Sequence, residues 1–132
     1  MEDNHISDER ARTFAGALRR FEQDSDAAAF AELFTDDAVT QRLDARGERK
    51  GEVEQFWREY RGQFHDLKTT FYNVVEGGDQ FALEWTSEGT LTNDRPVRYR
   101  GVTCVGYDGD KIGWLRTYYD SAVFAAPTAE TA

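Results

Sequence analysis

The chain is short of the residues that usually announce a chemistry. Of 132 residues only one is cysteine, Cys104, and two are histidine, His5 and His65. A single thiol allows no internal disulfide and fits a reducing, cytoplasmic setting. Between Thr103 and Val105 it reads as a packed strand residue rather than a nucleophile. Neither histidine has a second histidine or a cysteine at ligand spacing, so no metal site is expected. A Ser-His-Asp order in supporting context is lacking, as is a glycine-rich phosphate cradle, and no cofactor is expected. Basic residues are outnumbered, 16 against 25 acidic, for a formal charge of −9. That charge argues against nucleic acid and anionic membranes as partners. No apolar run approaches the length of a membrane span. The opening MEDNHISDER lacks the basic-then-apolar layout of a signal peptide, so neither a membrane nor a leader is expected.

What is abundant is aromatic: nine Phe, six Tyr and three Trp. With 39% hydrophobic residues this is enough for one core, and a single domain over 1–124 with a disordered tail at 125–132 is expected. Ser7, followed by Asp8 and Glu9, predicts a helix start, and Phe14, Leu18 and Phe21 recur at helical spacing. Asp24-Ser25-Asp26 breaks that helix and caps a second one carrying Phe30, Leu33 and Phe34. TDDAVTQRL predicts a short strand and DARGERKG a solvated loop. A third helix, about Glu52 to Phe64, carries an apolar stripe of Val53, Phe56, Trp57, Tyr60 and Phe64. From Leu67 the texture becomes β: four strands joined at Gly77-Gly78, TNDRP and YDGDK. Helices first and a meander afterwards predict an α+β fold with the helices on one face of an antiparallel sheet.

Short turns allow the strand register to be argued. A two-residue turn at Gly77-Gly78 sets Phe71 opposite Glu84. Another at Asn93-Asp94 sets Glu84 opposite Thr103 and Thr86 opposite Gly101. The Asp108–Asp110 loop sets Arg98 opposite Asp120. Alternation then gives two faces. One holds Thr69, Phe71, Asn73, Glu84, Thr86, Tyr99, Gly101, Thr103, Thr117 and Tyr119. The other holds Tyr72, Trp85, Arg98, Arg100, Trp114, Arg116, Tyr118 and Asp120. Asp120 is therefore expected to pair with Arg98 or Arg116 and not to be catalytic.

The element order, with LFTDDAVTQR after the second helix and GDKIGWLRTYYD in the last hairpin, resembles the nuclear transport factor 2-like superfamily. It is most similar to the SnoaL-like branch of polyketide cyclases and limonene epoxide hydrolases, over roughly Ala11 to Phe124. The resemblance implies a cone: a curved sheet around a helix, with a small-molecule pocket inside and a convex face often used for dimers. The base of ketosteroid isomerases falls at Arg42, their helix tyrosine at Leu18 and their oxyanion-hole acid near Thr103. A histidine and an aspartate of SnoaL-like cyclases fall at Thr103 and Thr117. The Arg-x-Asp pair of limonene epoxide hydrolases falls at Ala82 and Glu84, and their last-strand aspartate at Thr117. Only Glu84 keeps an acid at such a position.

Glu84 is accordingly the expected general acid or base, with Arg42 beside it as a pairing or anion-binding group. Gly101 would leave ligand room against the sheet. Trp57, Tyr60, Phe71, Thr86, Tyr99, Thr103, Thr117 and Tyr119 are the expected walls of a site for a small, partly apolar molecule. The alternative for Glu84 and Arg42 is a buried ion pair or a place in solvent at the cone mouth. A homodimer through Trp85, Trp114 and Tyr118 is expected from aromatics and arginines on an uncovered sheet face. Three classes of function stay open: an enzyme using the pocket glutamate, a non-catalytic ligand carrier, and a dimeric interaction module whose cone is filled by its own side chains.

Overall fold

The computed structural model describes residues 9–42 and 49–124. Ser7, most of the DARGERKG loop and the segment 125–132 lie outside them. The first helix, α1 (Glu9–Asp24), buries Ala11, Phe14, Ala15, Leu18, Phe21 and Glu22 along one stripe. It stops where expected: Ser25 takes φ 58°, and the Asp26 carboxylate accepts from Ala29 N–H at 3.1 Å to cap α2 (Ala27–Ala31). Strand β1 (Phe34–Arg42) and the two-residue β2 (Arg49–Lys50) precede α3 (Val53–Arg61), which buries Val53, Phe56, Trp57, Tyr60 and Arg61. Four long strands follow: β3 (Phe64–Gly77), β4 (Gln80–Leu91), β5 (Pro96–Asp108) and β6 (Lys111–Tyr119). A 3-10 turn, Ser121–Phe124, ends the described chain.

The strands form one curved, open sheet in the order β2-β1-β6-β5-β4-β3. All neighbours are antiparallel except β1 and β6, which run parallel. Helix α1 packs on β3, and α3 on β1 and α2. The fold is therefore α+β with a sheet curved into a cone around its helices, as expected. Buried Arg61 ties the layers together, donating from Nε to the Glu22 carbonyl and from Nη1 to the Phe64 carbonyl, both at 2.9 Å.

The hairpins differ from the expected register in an instructive way. The β3–β4 tip is Gly78-Asp79, with Gly77 opposite Gln80 and Gly78 at φ 61°. That turn sets Asn73 opposite Glu84, and a bulge at Tyr72 then sets Phe71 opposite Trp85. In the β5–β6 hairpin a two-residue turn, with Asp108 opposite Lys111, and a bulge at Gly113 each shift the pairing by one residue, so Thr103 faces Thr117. An even shift leaves both faces of β5 and β6 as expected.

The β4–β5 connection is different. Leu91 N–H donates to the Arg95 carbonyl, Asp94 N–H donates to the Leu91 carbonyl, and Asp94 takes φ 71°. This is a three-residue loop whose last member sits in the left-handed region, not a two-residue turn. The odd count turns β4 over. Leu83, Trp85 and Ser87 point inward and are buried, while Glu84 and Thr86 point outward.

Candidate functional site

Inside the cone lies a cavity of about 20 Å³. Helix α1 contributes Leu18 and Glu22, and α3 contributes Phe56, Trp57 and Tyr60. The sheet supplies Arg42, Thr69, Trp85, Ser87, Thr103 and Thr117. Of the expected site residues, Arg42, Trp57, Tyr60, Thr103 and Thr117 meet here.

The remaining expected residues do not line it. Glu84 is on the outer face, where its Oε1 accepts from Asn73 Nδ2 at 2.6 Å. Thr86 is also outside, beside Arg98, Arg100 and Asp120. Both placements follow from the odd loop at Asp94. Phe71 is inside but fully packed in the core. Tyr99 and Tyr119 belong to an aromatic cluster with Phe64 and Phe124 that fills the neighbouring part of the cone. Trp85, expected on the outer face, is 4% exposed. Its indole lies against Gly101, where a Cβ would come within 2.8 Å of the ring. The space expected for a ligand at Gly101 is thus occupied by Trp85.

The carboxylate inside the cone is Glu22, which the sequence reading passed over. Its signal was present: Glu22 continues the Phe14, Leu18 stripe at i+4, an acid at a core-facing position of an amphipathic helix. Glu22 is 4% exposed. Thr69 N–H donates to Oε1 at 2.9 Å, and the Thr69 hydroxyl bonds Oε2. Thr69 Oγ1 also lies 2.6 Å from Ser87 Oγ. Burial pushes the Glu22 carboxyl up to about 7, against the opposing pull of the Thr69 bonds and of Arg19 and Arg61.

A second polar cluster lines the other strands. Trp85 Nε1 donates to Thr103 Oγ1 at 2.8 Å, and Thr103 Oγ1 lies 2.8 Å from Thr117 Oγ1. Thr117 is paired with Arg42 across the parallel β1–β6 ladder, and the Arg42 guanidinium rests 5.2 Å above the Phe56 ring. Tyr60 hydrogen-bonds Tyr99 through its hydroxyl, and burial holds its phenol well above the usual range. Trp57 Nε1 is buried and has no hydrogen-bond partner among the described residues. Among the described residues no three His, Cys, Asp or Glu side chains gather in a metal-binding group. Among the described residues no helix is long and apolar enough to cross a membrane.

Asp120 lies beyond β6, and its N–H reaches the Arg100 carbonyl at 3.4 Å, so it does not face Arg98. Its carboxylate accepts from Ala122 N–H at 3.1 Å, holding the turn that brings Phe124 onto Tyr99 and Tyr119.

Solved structures place this architecture in a known class. An NTF2-like protein from Anabaena variabilis ATCC 29413 superposes with a TM-score of 0.79 at 19% identity, over 91% of this chain and 92% of that one. An NTF2-like protein of unknown function from Burkholderia pseudomallei K96243 gives 0.73 at 15% identity, over 96% and 100%. A protein of ketosteroid isomerase-like fold from Catenulispora acidiphila DSM 44928, in complex with trimethylamine, gives 0.73 at 15% identity, over 83% and 87%. At such identities the likeness is one of fold. A comparison with curated proteins gave no match. The profile of the SnoaL-like domain matches residues 14–115, and the chain belongs to that family.

Proposed function

We propose that this SnoaL-like domain binds a small, partly apolar molecule in the cone and that Glu22, not Glu84, exchanges a proton with it. The observation that carries the reading is a carboxyl group inside the cavity, poised near neutral pH by burial and connected to two hydroxyls. A group that titrates near 7 is present in both forms at cellular pH, which is what a general acid or base requires. Aromatic and aliphatic walls suit an apolar body, while Arg42 and Trp57 offer polar anchors. The cavity is compact, and the trimethylamine-bound structure of similar fold is a precedent for a compact ligand. A non-catalytic carrier would use the same groups without turnover.

We also propose that the chain works in the cytoplasm as a homodimer through its outer sheet face. Tyr118 is 42% and Tyr72 45% exposed there, and Trp114 stacks on the Arg116 guanidinium at 4.3 Å. Glu88 stands beside Arg98, so a two-fold packing can set acids of one copy against arginines of the other. A monomer by light scattering at micromolar concentration would remove the dimer.

Carboxyl ¹³C NMR of the full chain tests the Glu22 reading. One glutamate resonance, absent in Glu22→Gln, should titrate close to pH 7. An ordinary carboxylate midpoint would refute the assignment. In a fragment screen that finds a substrate, Glu22→Gln should lower turnover by roughly 10²–10⁴-fold with little loss of affinity.

A further inference from the structure

The cavity wall has more donors than acceptors can use. Trp57 Nε1 is one unused donor. Thr103 and Thr117 supply a second. Thr103 already accepts from Trp85, and the two hydroxyls share one hydrogen bond. Two hydroxyls carry two protons and that bond uses one, so one O–H is left over whichever way the bond runs.

Ser87 supplies a third donor, and Glu22 controls it. With Glu22 ionised, Thr69 gives its only hydroxyl proton to the carboxylate, so the Ser87 proton must fill the 2.6 Å contact with Thr69. With Glu22 protonated the chain reverses: Glu22 donates to Thr69, Thr69 donates to Ser87, and the Ser87 proton is released toward the cavity that both residues line. Arg42 adds a guanidinium, and among the described residues Glu22 is the only acid that lines the cavity. A protonated Glu22 therefore leaves a small cavity surrounded by donors and one cation.

We propose that the cavity is a receptor for a compact monoanion, a carboxylate head group or an ion of similar size. It would be held by Trp57, the Thr103–Thr117 pair, Ser87 and Arg42, and taken up together with one proton on Glu22. This rests on the reading of the cone as the working site and names its ligand chemistry. The groups facing Glu22 agree with it. Arg19 from its own helix and Arg61 from α3 draw the Glu22 proton affinity down, against burial. Tyr60 from α3 stays neutral, Arg42 comes from β1, and β3 and β4 present Thr69, Ser87 and Trp85, with no further acid among the described lining residues. Glu22 is then the group that must change charge when an anion enters.

Isothermal titration of the full chain with formate tests this, with formamide as neutral isostere and methylammonium as the cation. At pH 6 formate should bind at least tenfold more tightly than either control. At pH 8, one unit above the Glu22 midpoint of about 7, its affinity should fall about tenfold. In buffers of different ionisation enthalpy, close to one proton should be taken up per formate at pH 8. Glu22→Gln, which mimics the protonated acid, should bind formate with no dependence on pH. Ser87→Ala should lower the pH 6 affinity toward the pH 8 value, and Trp57→Phe should weaken formate about tenfold. Formate affinity that is flat or rising with pH in the unaltered chain would overturn the proposal, as would equal binding of formamide or methylammonium. If Glu22 still titrates near 7 while a neutral or cationic probe binds, the anion falls and the proton-exchanging cavity stands. If Glu22 titrates as an ordinary carboxylate, both fall.

Discussion

Two glutamates show how little a residue's identity says without its surroundings. Glu22 and Glu84 both lie in regular elements flanked by aromatic residues. Glu22 is inside the cone on α1, its carboxylate held by Thr69 and its proton affinity raised by burial. Glu84 is on the outer face of β4, bonded to Asn73. Desolvation is what converts a carboxylate into a group able to exchange protons at neutral pH, and the burial of Glu22 supplies it. The same division runs along β4. Leu83, Trp85 and Ser87 hold the core and the cavity, while Ala82, Glu84 and Thr86 alternate with them toward the outside.

The strongest way to test the two faces is at Trp85. Its indole fills the space over Gly101 and donates to Thr103. Trp85→Ala removes a large buried ring and leaves Thr103 one donor short, so urea unfolding should show a loss of about 3–5 kcal/mol. A loss below about 1 kcal/mol would mean that Trp85 faces outward, as the two-residue turn implied.

Next in size is the pH dependence at Glu22. Its carboxyl rises from 4.5 to about 7 on folding, so the folded chain holds that proton more tightly than the unfolded one. The stabilising contribution is fully present below pH 4.5 and is lost as pH rises to 7, about 3 kcal/mol over the window. Other carboxylates move the curve as well. Glu59, which accepts from Arg49 and Gln55, has its proton affinity lowered and acts in the opposite sense. The readout is therefore the difference from Glu22→Gln. Relative to that variant, the unaltered chain should weaken steadily from pH 4.5 to 7 in melting experiments. A constant difference would place Glu22 in water.

Much of the architecture was legible because it rests on local signals. The break at Asp24-Ser25-Asp26, the α3 stripe and the glycine turns each follow from one or two residues with a definite physical preference. The site was less legible because it depends on counts of one. Asn93-Asp94 has the composition of a two-residue turn. Asp94 instead closes a three-residue loop in the left-handed region, and that extra residue exchanges every inward and outward side chain of β4. The bulges at Tyr72 and Gly113 also leave little trace in the pattern, yet the second, added to the one-residue change at the Gly109-Asp110 turn, shifted β6 by an even number and did no harm to its faces. Thr103, Thr117 and Arg42 could be placed at the cavity because their strand parity survived, and Trp57 and Tyr60 because the α3 stripe needs only the helical period. Glu22 required only the helical period, but an acid on a helix is ordinarily assigned to solvent.

A smaller effect belongs to Asp120, whose side chain caps the last turn. Asp120→Ala should cost about 0.5–1 kcal/mol, the scale of a lost cap, and should loosen Phe124 from Tyr99 and Tyr119. Formate binding should be unchanged, because Asp120 does not line the cavity.

The smallest expected effect is at Glu84 itself, and it sharpens the comparison most. Glu84→Gln keeps the length of the side chain and an acceptor for Asn73 Nδ2, while removing the charge. On a partly exposed outer strand face, such a change should alter stability by less than about 0.5 kcal/mol. The dependence of formate affinity on pH should match that of the unaltered chain, since no atom of Glu84 touches the Glu22–Thr69–Ser87 relay. Turnover of any substrate found should likewise persist. The paired experiment is decisive because Glu22→Gln and Glu84→Gln are the same chemical change at two places. If the outer variant abolished the pH dependence and the inner one did not, β4 would be turned over in solution and Glu84 would be the proton-exchanging group. If only the inner variant does so, burial on α1, and not the alignment of an acid on β4, determines where this cone can move a proton.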